Sequence, residues 1–160
     1  MNVRRTCVIG VLACVLATVA SLTAAAAPTA KQRIAIEERV TLGASGGTFR
    51  LIPLTPGPLK EDSGTFTFSA TQRPTVIRDG QTVTTYKGVD MLKGKLGTLR
   101  IPGVNTSLDA GGGFQAGTST WSVAGGTGAY ADLRGGGRGA VVGTPKGIVL
   151  GRNEGYVSTP

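Results

Sequence analysis

The sequence predicts an all-β fold, an antiparallel barrel or sandwich, preceded by an N-terminal secretory signal. Three observations support this prediction. Of the 26 glycines, 25 follow the first 27 residues, and no window of a dozen residues there sustains a helical period without a glycine or proline. Segments with two-residue alternation recur instead, and residues typical of turns separate them.

The first thirty residues, "MNVRRTCVIGVLACVLATVASLTAAAAPTA", have the parts of a signal peptide. Arg4 and Arg5 precede an apolar run, and small residues suited to cleavage follow near Ala26. A membrane anchor is the alternative, because the run approaches the roughly 20 residues that span a bilayer. The alanine-rich end and the polar switch at Lys31 favour cleavage. We therefore expect a signal peptide at 1–27, a barrel domain at 28–160, and a secreted, extracellular protein.

The chain lacks the residues that many catalytic sites need. Both cysteines, Cys7 and Cys14, lie in the predicted signal, and the sequence has no histidine. A serine triad, a cysteine nucleophile and a zinc site each require residues that the mature chain would not possess. We therefore expect no cofactor and no metal site.

The mature chain is predicted to be basic. Without Arg4 and Arg5 it has 15 basic residues against 9 acidic ones, a net charge of +6. This balance favours weak contact with anionic polymers of the cell envelope. A role in solubility alone is the alternative, because the basic residues are scattered along the sequence.

Eight or nine strands are predicted in order along the chain, at spacings typical of an antiparallel barrel or sandwich. Residues 34–42 alternate, 47–54 are short, and 64–72 place Phe66 and Phe68 on one face. Asp79-Gly80 between two β-rich arms predicts a hairpin. The further candidates are 95–101, 114–123, 129–133, 139–142 and 148–157.

Two long connections separate these strands. Residues 53–64 contain three prolines and predict a surface loop that is long enough to cover a barrel mouth. Residues 102–113 predict a second loop. Glycines inside strands, such as Gly88, Gly97 and Gly143, would allow the sharp coiling of a small closed barrel.

The stretch "GGTGAYADLRGGGRG" at 125–139 is the richest in glycine. "GTGAYA" satisfies the spacing of a dinucleotide fingerprint, but that motif needs a helix after the glycines, and more glycines and a strand-like segment follow here. "RGGGRG" has only two arginines, too few for an RNA-binding tract. We therefore expect no nucleic-acid partner and a structural role for the stretch.

The segment "WSVAGGTGAYADLRG" at 121–135 resembles a stretch of dirigent proteins and, more loosely, of allene oxide cyclases. The matching positions are Gly125, Gly126, Thr127, Gly128, Tyr130, Arg134 and Gly135, with Tyr130 where those families usually have phenylalanine. The resemblance implies a single antiparallel eight-stranded β-barrel with a hydrophobic lumen, and a homotrimer. It also implies a tight glycine turn with Tyr130 packed into the barrel end.

Glu38 is the candidate catalytic residue. It is the one carboxylate on an otherwise apolar face of residues 34–42. If that face lines the barrel, Glu38 is a buried acid with a raised pKa that could donate or accept a proton. A break in register that turns Glu38 outward, or a strut formed with an arginine, are the alternatives.

Four aromatic residues are expected to line the lumen and bind a small hydrophobic ligand: Phe66, Phe68, Trp121 and Tyr130. Tyr86 and Asp90 share a strand face, for which we favour the solvent side. Asp62 is interpreted as a turn or solubility residue of the long loop.

Three functions remain open on these observations. The first is a secreted barrel that binds a small apolar or aromatic ligand without turnover. The second is a cyclase, an isomerase or a dirigent-like guide of coupling that acts by confinement, with Glu38 as its acid or base. The third is a structural or interaction protein of the cell envelope.

Overall fold

A computed structural model describes residues 30–159, and these form a closed, eight-stranded antiparallel β-barrel, which confirms the predicted fold class. The predicted signal peptide at 1–27 lies outside the described residues. The strands are β1 (Gln32–Thr41), β2 (Gly46–Pro53), β3 (Asp62–Gln72), β4 (Val76–Arg78), β5 (Gln81–Gly94), β6 (Thr98–Gly111), β7 (Phe114–Ser122), β8 (Arg134–Gly143) and β9 (Ile148–Ser158). A single turn of 3-10 helix at Gly128–Tyr130 precedes β8.

Two pairings close the ring. The first and last strands, β1 and β9, pair from Gln32 opposite Val157 to Thr41 opposite Ile148. The β3 and β5 strands pair around β4, which contacts only β5 and stands outside the ring. The β4–β5 connection is the predicted hairpin, and Asp79 and Gly80 both have positive φ, 49° and 76°, as a two-residue hairpin turn requires.

One end of the barrel is filled by side chains, and we call it the closed end. Inward positions of neighbouring strands supply its core, whose most deeply buried members are Ile34, Ile36, Leu51, Leu92, Leu99 and Val157. The proline-rich loop between β2 and β3 covers this end, and its Leu59 is buried. Gln32 fixes the loop, because its Nε2 donates to the carbonyl oxygens of Thr55 and Leu59 and its Oε1 accepts from the Leu59 N–H.

Tyr130 and Asp62 lock the closed end from the other side. Gly125 and Gly128 adopt positive φ, 113° and 61°. The turn that they form directs Tyr130 into the barrel, where 1% of the residue is exposed. Its Oη donates to Asp62 Oδ2 at 2.7 Å. The backbone N–H groups of Lys95 and Leu96 donate to the same carboxylate at 3.0 and 3.1 Å.

The interpretation of Asp62 as a turn or solubility residue is wrong, because the residue is buried at the start of β3. Burial alone would raise the pKa of this carboxyl, but the hydrogen bonds from Tyr130 and three backbone N–H groups outweigh it and hold the pKa below the usual value. Burial and the Asp62 charge raise the pKa of the Tyr130 hydroxyl. Asp62 is therefore an ionised anchor for the barrel end.

Two predicted element boundaries are wrong. Residues 102–113, predicted as a loop, mostly continue β6, because strands β5 and β7 pair with it on both sides. Residues 129–133, predicted as a strand, form the helical turn and the bend after it, since Tyr130 and Leu133 both pack inward. In each case tertiary pairing or packing overrides the local pattern. Gly97 also lies in the β5–β6 turn, outside the strands.

We predict that Tyr130→Phe lowers the free energy of unfolding by about 1.5–3 kcal/mol, the usual contribution of a hydrogen bond to a charged group. Urea denaturation followed by circular dichroism measures the change. Tyr156→Phe is the matched control, because Tyr156 is exposed on the outer face of β9, and we expect a change below about 0.5 kcal/mol. Equal effects of the two variants would contradict the anchor.

Candidate functional site

Halfway along the barrel the lumen changes from apolar to polar. Strand pairing places Ile36 opposite Asn153 on β9, and Asn105 on β6 opposite Ser119 on β7. Directly opposed residues share a face, so the polar side chains follow the apolar core along the same inner wall. The polar set, contributed by five different strands, is Glu38, Asp90, Asn105, Ser119 and Asn153.

These groups surround a cavity of about 40 Å³. Ile36, Ile101 and Val141 form its apolar wall, and Trp121 also lines it. A cavity of this size accommodates one or two polar groups rather than a whole aromatic molecule. Beyond it lies the opposite end of the barrel, which we call the open end, where lumen-facing residues such as Phe68 are partly exposed.

A short chain of hydrogen bonds orients Glu38. Ser119 Oγ donates to Asn153 Oδ1, so the amide nitrogen of Asn153 faces the other way and donates to Glu38 Oε2 at 3.3 Å. Gly139 lies opposite both donors, and a Cβ at that position would overlap Ser119 Oγ and Asn153 Oδ1. Glycine at this position therefore leaves room for the chain to form.

The two carboxyl groups have different proton affinities. Burial, with a further contribution from the negative charge of Asp90, raises the pKa of Glu38 to about 8. Burial raises the pKa of Asp90 to about 6. Near neutral pH, Glu38 is therefore mainly a neutral acid that can donate a hydrogen bond, whereas Asp90 is mainly an anion.

Trp121 contributes a donor that has no partner. The indole lies opposite Gly103 and Gly137 of the neighbouring strands, and 7% of the residue is exposed. Its Nε1 is buried, and within residues 30–159 it is the one buried side-chain polar atom without a hydrogen bond. Because buried polar groups almost always have partners, this N–H marks a place where an acceptor is expected.

The structure decides between the alternatives for the orientation of Glu38. The pairing of β1 with both neighbours runs through Glu37 and Glu38 without a break, so Glu38 faces the lumen and Glu37 faces outward. The arginine pair belongs to Glu37, which contacts Arg152. The catalytic role of Glu38 stays a prediction.

The four aromatic residues predicted to bind a ligand occupy different environments. Trp121 lines the cavity, and Phe68 faces the lumen towards the open end with 37% of its surface exposed. Phe66, 5% exposed, and Tyr130 pack in the core of the closed end and do not line the cavity. Ligand binding by this set stays a prediction.

The solvent side that we favoured for Tyr86 and Asp90 is wrong. Asp90 pairs with the lumen-facing Phe68 and Ile101, and Tyr86 pairs with Asn105. The local sequence "TVTTYKGVDM" has polar and apolar residues on both faces, so its alternation could not identify the inner one. The sequence alone did not identify three further residues of the polar set, namely Asn105, Ser119 and Asn153. Each is a single polar residue in its strand, and only the pairing of the strands shows that the three lie close together.

Comparisons with known proteins give no relative. No protein-family model matches the chain, and searches of curated proteins and of solved structures find no similar protein. Within residues 30–159, no helix is both long and apolar enough to cross a membrane. The same residues contain no group of three or more Asp, Glu, His or Cys side chains that could hold a metal ion.

We predict that the free energy of unfolding falls as the pH rises from about 5 to 8. The pKa of Glu38 is raised from 4.5 to about 8 and that of Asp90 from 3.8 to about 6, so in this window the folded state binds more protons than the unfolded state, and raising the pH favours unfolding. Glu38→Gln should remove most of the decline between pH 6 and 8, by about 1 kcal/mol or more.

Urea titrations at several pH values measure this slope. Asp132→Asn is the control, because Asp132 is exposed in the turn before β8 and its loss should leave the slope unchanged. A Glu38→Gln variant with the same decline as the unaltered protein would show that Glu38 titrates normally.

Proposed function

We propose that the protein binds a small, mainly apolar or aromatic molecule in its lumen without turnover, with an acceptor oxygen of the ligand placed against Trp121 Nε1. The single observation that carries this proposal is the buried, unpartnered N–H of Trp121, a residue that lines the polar cavity. A buried donor without a partner costs about 1–3 kcal/mol. A ligand oxygen at that position would recover this free energy on binding.

The cavity wall also supports the kind of polar group that we propose. A carbonyl or carboxyl oxygen could accept from Trp121, and the neutral form of Glu38 offers a second donor at the same cavity. Asp90, as an anion, is an acceptor and would favour a ligand hydroxyl or amide N–H. The ligand therefore needs at least one acceptor oxygen.

The remainder of the ligand would lie towards the open end. Phe68, Val40 and Val141 face the lumen there and are partly exposed, so an apolar or aromatic body would remove them from water. Binding barrels of eight strands typically hold one small ligand in this way. The predicted export and the resemblance to dirigent proteins agree with this function, but the proposal does not depend on them.

A cyclase or isomerase that acts by proton transfer is the second candidate. It is favoured by one observation, that two carboxyl groups at the same cavity have pKa values of about 8 and about 6. Environments that separate the pKa values of two acids are typical of sites with an acid and a base. In this function Asp90 would accept a proton and Glu38 would donate one.

We predict that an aromatic ketone binds more tightly than the hydrocarbon of the same shape. Acetophenone and α-methylstyrene, in which a CH2 group replaces the carbonyl oxygen, and larger pairs built in the same way, would be titrated by calorimetry and by Trp121 fluorescence. We expect Trp121→Phe to weaken ketone binding about tenfold, because one hydrogen bond is lost, and to leave hydrocarbon binding nearly unchanged. Equal affinities for ketone and hydrocarbon, or no saturable binding of any pair, would reject the proposal.

For the second candidate we predict that Glu38→Gln lowers any isomerisation of a bound ketone at least about 100-fold, the usual contribution of a general acid or base. Binding should change little, because the amide keeps the shape of the side chain. Glu37→Gln, one residue away on the outer face, is the matched control. Product formation that is the same in both variants would exclude Glu38 as the proton donor.

A further inference from the structure

The exterior of the barrel has two faces with different charge. On β9, β1 and β2 most outward arginines have an acidic partner: Arg33 pairs with Glu154 at 2.7 Å, Arg50 pairs with Glu61 at 2.8 Å, and Arg152 contacts both Glu154 and Glu37. Arg39 is the exception, because it makes no ion pair within residues 30–159. We call this the ion-pair face. Exposed ion pairs of this kind leave little net field beyond the surface.

The outer face of β3, β5, β6 and β7, which we call the basic face, has no acid. The three acids of these strands, Asp62, Asp90 and Asp109, all occupy positions in register with the lumen side. Lys87, Lys93 and Arg100 point outward and are exposed. None of these three forms an ion pair with any residue in 30–159.

These cations form a linear array. Lys87 and Lys93 lie six residues apart on β5, which corresponds to roughly 20 Å at the rise of a strand. Arg100 on β6 lies opposite Met91, and so falls between the two lysines along the barrel. An extended polyanion that follows β5 could contact all three.

A row of hydroxyl groups runs beside this array on β3. Every outward residue from Ser63 to Thr71 carries one, and the five residues, all exposed, are Ser63, Thr65, Thr67, Ser69 and Thr71. None of these hydroxyls bonds to another side chain within the described part of the chain. They are therefore available to accept from, and donate to, the hydroxyls of a bound polymer.

The composition of the basic face favours a polysaccharide over other polyanions. The outward positions of β3, β5 and β6 carry no aromatic side chain. On β7 the outward aromatic residue is Phe114, which lies six residues along the strand from the level of Lys87 and so beyond the cations. Binding of single-stranded nucleic acid usually uses aromatic stacking beside the cationic groove. Met91 is the one large, strongly exposed apolar residue among the outward positions of β5 and β6, and the exposed Val76 and Ile77 belong to β4, which lies outside the ring. One apolar side chain beside the cations is too little for insertion of this face into a membrane surface. Spaced cations beside free hydroxyls match a chain that bears both anionic groups and hydroxyls.

We propose that the basic face binds a linear acidic polysaccharide along β5, through Lys87, Arg100 and Lys93 and the hydroxyl row of β3. This site lies on the outside of the barrel and is independent of the function proposed for the lumen. The net positive charge of the sequence predicts contact with anionic polymers, and the basic face is the surface that we assign to this contact.

The test compares two triple variants with the same change in charge. Lys87→Gln, Lys93→Gln and Arg100→Gln are combined on the basic face. The control combines Arg39→Gln, Lys60→Gln and Lys146→Gln, three exposed cations that lie elsewhere and make no ion pair within residues 30–159. Binding to polygalacturonate, to neutral dextran and to single-stranded DNA is measured at low and at physiological salt.

We expect the unaltered protein to bind polygalacturonate, with an affinity that falls as the salt concentration rises. We expect no binding of neutral dextran. The basic-face variant should bind about tenfold more weakly, because three modest charge interactions are lost, and the control variant less than about threefold more weakly. Three results would overturn the proposal: no binding at low salt, an equal loss in the two variants, or tighter binding of the DNA than of the polysaccharide through the same three residues.

Discussion

The small diameter of the closed, eight-stranded ring is the constraint on which the rest of this structure depends. Neighbouring strands coil so tightly that a side chain at some inner positions would meet the backbone of the next strand. Gly137 and Gly155 show this directly: they are register partners on β8 and β9, and a Cβ on either would overlap the backbone of the other strand. Since a ring of eight strands encloses little space, the most deeply buried large residues pack at the closed end, and the cavity lies where this packing stops.

The buried polar groups at the cavity reduce the stability of the barrel. Burial of two carboxyl groups and of one unpaired N–H reduces stability, whereas Asp62, buried at the closed end, receives donors for its charge and supports the fold. The protein therefore has two kinds of buried acid: Asp62, which stabilises the fold, and the pair Glu38 and Asp90, which does not. A site that violates local rules of packing is where function is most often found, and the Glu38 and Asp90 pair fits that description.

The sequence allowed prediction of the fold class and of the hairpin at Asp79-Gly80, because each depends on local patterns of alternation or turn chemistry. The inward turn of Tyr130 was implied only by the resemblance to dirigent proteins, since the local pattern of 129–133 predicted a strand. The sequence also placed Glu38 on the apolar face of β1. It could not give Asp90 or Asn153, since their inward direction follows from pairing with distant strands. Asp62 shows the same limit: its sequence neighbours are those of a loop, and its partner Tyr130 is 68 residues away along the chain.

The pairing of β1 with β9 has a consequence for how the protein folds. The first and last strands of the ring are more than a hundred residues apart in sequence, so their pairing raises the contact order of the barrel, and we expect closure of the ring to come late in folding. Until β9 has docked, β1 and β8 each present an open strand edge, the type of surface through which chains aggregate. The eleven-residue strand β9 therefore closes an aggregation-prone curved sheet into a ring, and the unpaired edge that the described residues keep is that of the three-residue strand β4 outside the ring.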